Sequence, residues 1–501
     1  MTDTTRRSIV VLLPSGFSIR NVVHSGVLEA LVQGDIDVHL FLQHCPPSVK
    51  WSECPGFFLA SSCSPLSPPT GHQIKGRPFL NGVIHKAFSQ RYNIKSYGLY
   101  RNWFQRNFTT VERLRSTVIE GLGTLAQHGP FLSVLSAFSE YLYRRGYELT
   151  AIKTKLRQLE PDLVWSTMCV SPLEYPYVLA AQDLGIPVVT SILSFDNLTS
   201  RSLLPNYDHY LVWNERMRRQ LLRLYPKVSS DQVSVTGTPQ FDFHLKPAWT
   251  WSRSKTCAWL GIAPNTRYFL YAASHDSLAP AEPALVTQLS RLMEQDQVLK
   301  EYQLVVRLHP HDDGSRWRNV PNQSKLITLS RVCGSASKTD GWQMPKQDDQ
   351  SFLISSLAHS EACLNIVSTM ALDAAILDRP VIGIDFAGER SSPRDIMYEE
   401  YATDHYAPLV ESGGLRLALD WTQLMSLMRA AIVSPQQDRE RRLAMVNAEC
   451  GPIDGHASER IAGTVAALIR RGVVARDGLT ESPRRVVSDS NLVTRINSIS
   501  H

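Results

Sequence analysis

The sequence predicts an α/β protein in which two doubly wound domains, each a parallel sheet covered by helices, face each other across a cleft. Short, continuous apolar strands alternate with helical segments, a pattern typical of parallel sheets that are buried on both faces. The chain has 501 residues, more than one domain usually contains. Its composition, 43% hydrophobic and 20% charged, is that of a globular protein.

The first Rossmann-like domain is predicted over residues 1–225. Its strands are expected at 8–13, 37–42, 163–165, 188–191 and 210–213, and its helices at 22–33, 153–159, 177–184 and 215–225. Residues 46–150 depart from this rhythm, and their early part is rich in proline, serine and glycine. They are predicted to form an irregular insertion with many basic and aromatic residues.

The second Rossmann-like domain is predicted over residues 226–435. Its strands are expected at 233–235, 268–272, 304–307, 326–329, 362–365 and 381–384. Closing helices are expected at 436–472 and a flexible tail at 473–501. Ligands of such sheets bind beyond the carboxyl ends of the strands, so the cleft between the domains is the expected site.

Composition excludes several classes of protein. The 52 basic and 47 acidic residues leave a charge of +5, which is too small to indicate a nucleic-acid binder. No apolar run approaches the roughly 18 residues that would span a bilayer. The eight cysteines form no CxxC pair and no zinc pattern, which favours reduced thiols in a cytoplasmic protein.

The segment Val-Val-Arg-Leu-His-Pro-His at 305–311 is the sharpest local feature. A strand delivers Arg307 and His309 to its carboxyl end, where an arginine can bind a phosphate through two hydrogen bonds. The alternative is a strand end followed by a histidine that caps a helix.

A second motif lies where strand 362–365 gives way to a helix. Ser368 is predicted to be the N-cap, and the free amides through Thr369 and Met370 would form an anion site. Asp373 follows one and a half turns later, within reach of ribose hydroxyls. An ordinary capped helix is the alternative interpretation.

Two further loops follow strands and face the same predicted cleft. Gly237 and Thr238 form a turn after strand 233–235, and Ser274 and His275 follow strand 268–272. Both loops are candidates for contact with a donor nucleotide, and turn chemistry alone is the alternative.

These motifs together resemble the C-terminal half of the GT-B superfamily, in the branch of CDP-glycerol glycerophosphotransferases and UDP-N-acetylglucosamine 2-epimerases. Residues 236–242 are similar to the Thr-Gly-Asn…Asp element of the epimerases, and residues 368–373 to their Ser-Gly-Gly…Glu element. Here Thr369 and Met370 replace the two glycines, and Asp373 replaces the glutamate. The pairs at 309–310 and 368–369 also resemble the HP and S-S/T motifs of bacterial sialyltransferases and Kdo transferases, which use CMP-activated sugars.

In the N-terminal half, Gly-Phe-Ser-Ile-Arg-Asn at 16–21 and the segment 194–200 resemble bacterial proteins that are CDP-glycerol transferase-like, as does 455–461 near the end. The resemblance implies a GT-B fold and a nucleotide-sugar donor of CMP, CDP or UDP type, with no further cofactor. It implies that Arg20, Asn21 and Asn197 lie in acceptor-side loops.

The function predicted from these features is a metal-independent glycosyltransferase acting in bacterial surface polysaccharide or glycoconjugate assembly. An inverting reaction needs a base from the first domain, and Asp196 and His24 are the candidates. An Asx turn and a helix-surface histidine are the respective alternatives. Three other functions stay open: a CDP-alcohol phosphotransferase, a nucleotide-sugar 2-epimerase and a non-catalytic binding module. The catalytic carboxylates of the epimerases have no recognisable counterpart.

Residues 86–115 form the most asymmetric charge patch, with seven basic residues, one acidic residue and interleaved aromatics. Such a stretch suits a glycan or glycolipid acceptor or an acidic membrane surface. Single-stranded nucleic acid is recognised by a similar composition, but no nucleic-acid motif accompanies it. A solvated helix with its aromatic side chains in the core is the structural alternative. The predicted partners are therefore a nucleotide sugar, a glycan or glycolipid acceptor and a peripheral membrane contact, without nucleic acid.

Overall fold

The computed structural model describes residues 6–43, 56–67, 76–105, 108–200, 206–320, 327–330, 347–386 and 398–478. Two parallel sheets, of seven and six strands, organise these residues. Both have helices on their two faces, because their inner strands are largely buried and apolar.

The first sheet has the order β3-β2-β1-β4-β5-β6-β7. Its strands are β1 (Arg7–Leu13), β2 (Ile36–Gln43), β3 (Ser62–Leu66), β4 (Leu163–Ser166), β5 (Val188–Ser191), β6 (His209–Val212) and β7 (Val233–Val235). Ile9 of β1 pairs with Val38 on one side and with Leu163 on the other, which makes β1 the central strand.

The second sheet has the order β10-β9-β8-β11-β12-β13. Its strands are β8 (Tyr268–Ala272), β9 (Gln303–Arg307), β10 (Ile327–Ser330), β11 (Cys363–Asn365), β12 (Val381–Ile384) and β13 (Leu415–Ala418). Both sheets follow the winding order 3-2-1-4-5-6 of Rossmann domains. The predicted fold class, two Rossmann-like domains of GT-B type, is confirmed.

One strand belongs to a different sheet from the one expected. Val233–Val235 was predicted to begin the second sheet, yet it pairs in parallel with β6, Tyr210 lying opposite Val233. The apolar pattern marks a strand but cannot say which neighbour it pairs with. The second sheet therefore begins at Tyr268.

The described helices are α1 (Gly16–Ile19), α2 (Val27–Gln33), α3 (Arg77–Arg91), α4 (Lys95–Phe104), α5 (Thr110–Ala126), α6 (Phe131–Gly146), α7 (Thr150–Leu159), α8 (Tyr175–Asp183), α9 (Asn197–Ser200), α10 (Glu215–Leu224), α11 (Asp242–Leu245), α12 (Arg253–Leu260), α13 (Glu282–Gln295), α14 (Gln347–Ala358), α15 (Met370–Ile376), α16 (Ala407–Glu411), α17 (Trp421–Val433), α18 (Arg439–Glu449) and α19 (Ala457–Gly478). A π-helical turn at Arg20–His24 separates α1 from α2. Short 3₁₀ turns occur in several loops, among them Tyr398–Ala402.

The insertion at 46–150 is ordered rather than irregular over most of its described length. It contributes the edge strand β3, where Pro65 is tolerated because an edge needs fewer ladder bonds. Four helices, α3 to α6, follow. The expectation was wrong because α5 and α6 leave many apolar residues in solvent, which obscures the usual pattern of a buried face.

The last helix returns to the first domain. Ile461, Val465 and Ile469 of α19 are buried in the cluster formed by α2 and one face of β1. The helix runs through Gly478, so it includes the first residues of the predicted tail 473–501. Residues 479–501 lie outside the described residues, and the proposed domain limits stay a prediction.

The chain crosses between domains at Gly451. Its φ of +83° is in the left-handed region, and a Cβ there would overlap the backbone carbonyl oxygen of Trp213. Only glycine fits this crossing point. Within the described part of the chain, no helix is both long and apolar enough to cross a membrane.

Candidate functional site

The strand order reverses between β1 and β4 in the first sheet and between β8 and β11 in the second. Such reversals open a crevice at the carboxyl ends of the strands, where ligands of doubly wound sheets bind. In the second sheet, the loops that border the crevice begin at Ala273 and at Ile366. They hold four of the predicted donor-side residues: Ser274, His275, Ser368 and Thr369.

Three histidines cluster where β8 and β9 end. The ring centroid of His275 lies 5.2 Å from that of His309 and 6.2 Å from that of His311, and the last two are 5.5 Å apart. Burial, reinforced by the two neighbouring imidazoles, lowers the pKa of His309 to about 4. The ring is therefore neutral at pH 7, and a bound phosphate would favour its protonation.

The turn after β11 is strained and internally bonded. Val367 has a φ of +42°, which is rare for a β-branched residue. The Ser368 hydroxyl accepts the Met370 amide at 3.3 Å, and the Tyr406 hydroxyl donates to the Ser368 carbonyl at 3.2 Å. The N-cap of α15 is Thr369, without a side-chain cap, so the prediction of Ser368 as N-cap was wrong by one residue. The strained turn displaces the helix start.

Two predicted donor residues point inward. The Ser274 hydroxyl donates to the carbonyl of Ile366, and its amide donates to Glu282 at 3.0 Å. Arg307 is only 7% exposed, and its guanidinium lies 5.2 Å from the ring of Phe352 on α14. Both side chains help to hold the second domain together, so the surface beyond β9 presents His309 and not Arg307.

The predicted residues of the first helix meet in the π-helical turn. Arg20 donates through Nε to the Asn21 side chain at 3.0 Å and through Nη2 to Gln240 at 2.9 Å. Burial lowers the pKa of Arg20 to about 10, and the nearby carboxylate of Asp373 opposes that shift. Burial and the charge of Arg20 lower the pKa of His24 to about 4. Arg20 belongs to the first domain and Asp373 to the second, so the fold brings residues of the two domains close together.

Asp373 is already paired. Its Oδ1 lies 3.0 Å from Nε2 of the fully buried His244, in the segment that connects the two sheets. Gly237, with a φ of +76°, approaches α19 closely, since a Cβ there would lie 3.1 Å from Nη2 of Arg460. Thr238 beside it is buried. Asp373 and Gly237 therefore lie where the two domains meet, in contact with His244 and close to α19 respectively.

A cluster that the sequence did not indicate surrounds Asp196. The Tyr100 hydroxyl donates to Oε1 of Glu400 at 2.7 Å, and Nε2 of His405 lies 3.7 Å from that oxygen. Burial, with the charges of Glu400 and Asp196, raises the pKa of Tyr100 well above its usual value. The Asp196 carboxylate accepts a 3.4 Å bond from the Asn197 side chain.

Tyr100, Glu400 and His405 were missed because the cluster is assembled from three distant segments. Tyr100 lies in α4, Asp196 follows β5, and Glu400 with His405 follows β12. The Phe195 ring packs edge-on against His405 with centroids 5.0 Å apart, which connects the first domain to the second. The only local signal was the aromatic content of residues 86–115.

Helix α4 connects this cluster to the histidines. One turn after Tyr100, the indole of Trp103 donates to the carbonyl of Ser277 at 3.0 Å, two residues beyond His275. Residues three apart on a helix are neighbours on its surface. The Asp196 cluster and the His275 loop therefore lie along one wall of the cleft, and α4 forms that wall.

A pocket with an empty volume of about 380 Å³ opens at the carboxyl ends of the first sheet. Trp165 and Trp213 contribute its aromatic lining, Thr238 reaches it from the loop after β7, and Ile461 reaches it from α19. None of the residues that line it has a titratable side chain. The same part of the molecule contains Asn21, from the π-helical turn.

Among the residues that the structure describes, no group of three or more histidine, cysteine, aspartate or glutamate side chains could hold a metal ion.

No protein-family model matches the sequence, and no curated protein is significantly similar to it. Solved structures are similar in fold. The UDP-GlcNAc 2-epimerase of Methanocaldococcus jannaschii aligns over 92% of this chain and 99% of its own, with a TM-score of 0.51 and 14% identity. A Listeria monocytogenes protein described as a UDP-N-acetylglucosamine 2-epimerase aligns over 96% and 99%, with a TM-score of 0.52 and 11% identity.

The calicheamicin glycosyltransferase CalG4 aligns over 93% of this chain and 99% of its own, with a TM-score of 0.45 and 12% identity. At these identities the likeness concerns the fold: this chain has two Rossmann-like domains arranged as in GT-B proteins.

Proposed function

We propose that this protein is a nucleotide-sugar-dependent glycosyltransferase that transfers a sugar to a glycan or glycolipid acceptor. One observation carries the proposal. Three histidines at the carboxyl ends of β8 and β9 lie along the same wall of the cleft as Asp196, from the opposite domain. This arrangement offers an anion site on one side of a reacting sugar and a carboxylate on the other.

In the proposed reaction, an acceptor hydroxyl oxygen forms a bond to the anomeric carbon while the bond from that carbon to the phosphate oxygen breaks. The electron pair leaves with the phosphate, where negative charge grows. His309, with His275 and His311 beside it, would stabilise this charge. Asp196 would accept the proton of the acceptor hydroxyl.

The donor nucleotide would bind the second domain beside the Ser368–Met370 turn. Arg20, Asn21 and Asn197 would then face the acceptor from the first domain, as the family resemblance implies.

A 2-epimerase is the second candidate, because the structures aligning with a TM-score above 0.5 are epimerases by name. Epimerisation at C2 needs groups that remove and return a proton at carbon. The catalytic carboxylates of the epimerases have no recognisable counterpart in this sequence, which favours transfer over epimerisation. A CDP-alcohol phosphotransferase and a binding module without turnover are further alternatives.

The first experiment is a thermal-shift panel with CMP, CDP, UDP, GDP and TDP. A nucleotide at about 100 times its dissociation constant adds roughly 2.7 kcal/mol to the free energy of unfolding, a readily measured shift. The nucleotide that gives the largest thermal shift is then supplied as its sugar conjugate, with and without candidate acceptors.

Release of free nucleotide that depends on acceptor supports the transferase. Conversion of the sugar without nucleotide release would establish the epimerase instead. Release of CMP with transfer of a glycerol phosphate group would indicate the phosphotransferase. Binding without any turnover, or no binding at all, would overturn the proposal in favour of a module.

A further inference from the structure

Helix α5 carries an apolar stripe in solvent. Val111, Leu114, Val118, Leu122 and Leu125 are between 43% and 77% exposed. Their spacings of three and four residues place them on one face of the helix. The helix does not need this face for its own packing, because another side, which includes Ile119, contacts α3.

Helix α6 continues the feature after the turn at 127–130. Phe131, Val134, Phe138 and Tyr141 are between 50% and 60% exposed and again follow spacings of three and four. The opposite side of α6 faces α3, where the Ser139 hydroxyl donates to the Asn81 side chain at 2.9 Å. Nine large apolar side chains on two consecutive helices exceed the scattered exposed residues of a monomer and mark an interaction surface.

The charge of this region identifies the partner. Residues 77–149 contain ten lysines and arginines and four glutamates, an excess of six, while the whole chain has an excess of five. The net positive charge of the protein is thus concentrated in this segment. Arg115 lies beside the α5 stripe by helical position, and Arg145 follows Tyr141 by one turn on α6 and donates to its hydroxyl at 3.1 Å.

Glutamates offset only part of this positive charge. Glu112 accepts the amide and hydroxyl of Thr109 in a capping box. Glu120 pairs with Lys86 and Arg101, on the side of α5 away from the stripe. Arg115 and Arg145 therefore present positive charge beside exposed apolar residues.

We propose that the surface formed by the apolar stripes of α5 and α6, with Arg115 and Arg145, binds peripherally to a lipid bilayer rich in anionic lipids. The phenylalanines and leucines enter the boundary between headgroups and acyl chains, and the arginines bind the lipid phosphates. Helices with an apolar face and flanking basic residues lie on membranes in this way.

A second copy of the chain fits this surface less well. In a twofold dimer this positively charged patch would face a second copy of the same patch, which brings like charges together. Anionic headgroups supply the opposite charge. The surface is also connected to the cleft, because α4 forms the cleft wall and Arg101 of α4 pairs with Glu120 of α5.

The test is co-sedimentation of the full chain with vesicles of phosphatidylcholine alone or mixed with phosphatidylglycerol. We expect binding to the mixed vesicles, weakened by salt because screening shortens the reach of the arginines. Replacing both phenylalanines, Phe131→Ser with Phe138→Ser, should lower the affinity by at least about tenfold, since each ring loses its burial in lipid. Arg115→Glu with Arg145→Glu should abolish the preference for anionic vesicles.

Phe58→Ser is the matched control, because Phe58 is 68% exposed on a different part of the first domain. It should bind vesicles as the unaltered protein does. Failure to bind mixed vesicles, or equal binding to both kinds, would overturn the proposal. A dimer in analytical ultracentrifugation that the phenylalanine variant dissociates would assign the surface to a second copy. None of these measurements depends on catalytic activity.

Discussion

His24 and His309 are partly buried histidines, and both have a pKa lowered to about 4. A neutral, partly buried imidazole has two consequences. It lowers the stability of the protein in acid, and it makes the site responsive to any anion that favours protonation. Each consequence leads to a measurement at the scale of a single side chain.

We expect His24 to destabilise the protein in acid. Its pKa is about 4 in the folded state and 6.5 in the unfolded state, so the unfolded chain binds more protons between these values. Lowering the pH from 7 to 5 should cost about 2 kcal/mol through this residue. His24→Gln should remove that loss in urea titrations at both pH values. His456→Gln, whose side chain is 68% exposed, is the control and should not reproduce the change.

Nucleotide affinity should rise as the pH falls from 8 toward 5. A bound phosphate raises the pKa of His309 from about 4, so binding takes up a proton in this range. The rise should reach at most about tenfold per pH unit for one proton. Calorimetric titration of the nucleotide selected in the thermal-shift panel measures it. If nucleotide affinity depends on pH in the same way in His309→Gln, the proton is not taken up by His309.

Asp196 has a separate role in the proposal. Asp196→Asn should abolish turnover and leave donor affinity within about twofold, because the amide keeps the shape but cannot accept the proton. Steady-state rates and nucleotide titration distinguish the two effects. Asn197→Ala, at the neighbouring position, tests whether any disturbance of this loop has the same result. Retained turnover in Asp196→Asn would exclude it as the base.

At the scale of elements, α4 joins the two domains. The Asp404 carboxylate accepts the amide and hydroxyl of Ser96, both at 2.8 Å, while Tyr100 and Trp103 reach Glu400 and Ser277. Arg216 of α10 adds a bond to the Asp404 carbonyl at 2.7 Å. The insertion that interrupts the αβ rhythm therefore holds the cleft in its observed width.

Loss of this contact should loosen the domains. Ser96→Ala with Tyr100→Phe removes the two hydrogen bonds of the Ser96 hydroxyl with Asp404 and the bond from Tyr100 to Glu400, at a cost of about 2–4 kcal/mol. Hydrogen exchange should accelerate in α4 and around residues 398–406. Tyr92→Phe, one turn before α4, is the control and should leave both regions protected. Unchanged exchange in the double variant would show that α4 does not hold the domains.

At the scale of the whole molecule, the chain passes from the second domain back to the first through Gly451, and α19 then covers α2. Asp242 fixes the start of this helix, since its carboxylate accepts the amides of Ala457 and Ser458 at 3.1 and 2.9 Å. The last helix thus makes the stability of the first domain depend on a segment far away in sequence.

A pair of glycine substitutions tests this crossing. Gly451 and Gly455 both have positive φ, but only at Gly451 would a Cβ overlap backbone, while at Gly455 the nearest atom is 3.8 Å away. Gly455→Ala should cost about 1–2 kcal/mol from strain alone. Gly451→Ala should cost more than about 4 kcal/mol or prevent folding. If thermal unfolding shows the same loss of stability in both variants, Gly451 does not approach the Trp213 carbonyl as closely as described.

The sequence by itself determined eleven of the thirteen described strands, the fold class and the loops at the carboxyl ends of the strands, but not β3 and β13. These features are local: a buried parallel strand is a continuous apolar run, and the polar residues that follow it are at the crevice. For this reason His275, His309 and Ser368 were found at a sheet edge from their positions alone.

The tertiary structure decided which strand neighbours which, which polar side chains face the cleft and which distant residues meet. Val233–Val235 joined the first sheet, Arg307 and Ser274 turned inward, and Tyr100 met Asp196 and Glu400. Pairing depends on the competing neighbours, and the direction of a side chain at a strand end depends on the pleat and on the helix packed against it. Neither is contained in a local run of residues, so the contents of the cleft emerge only when both domains and the inserted helices are assembled.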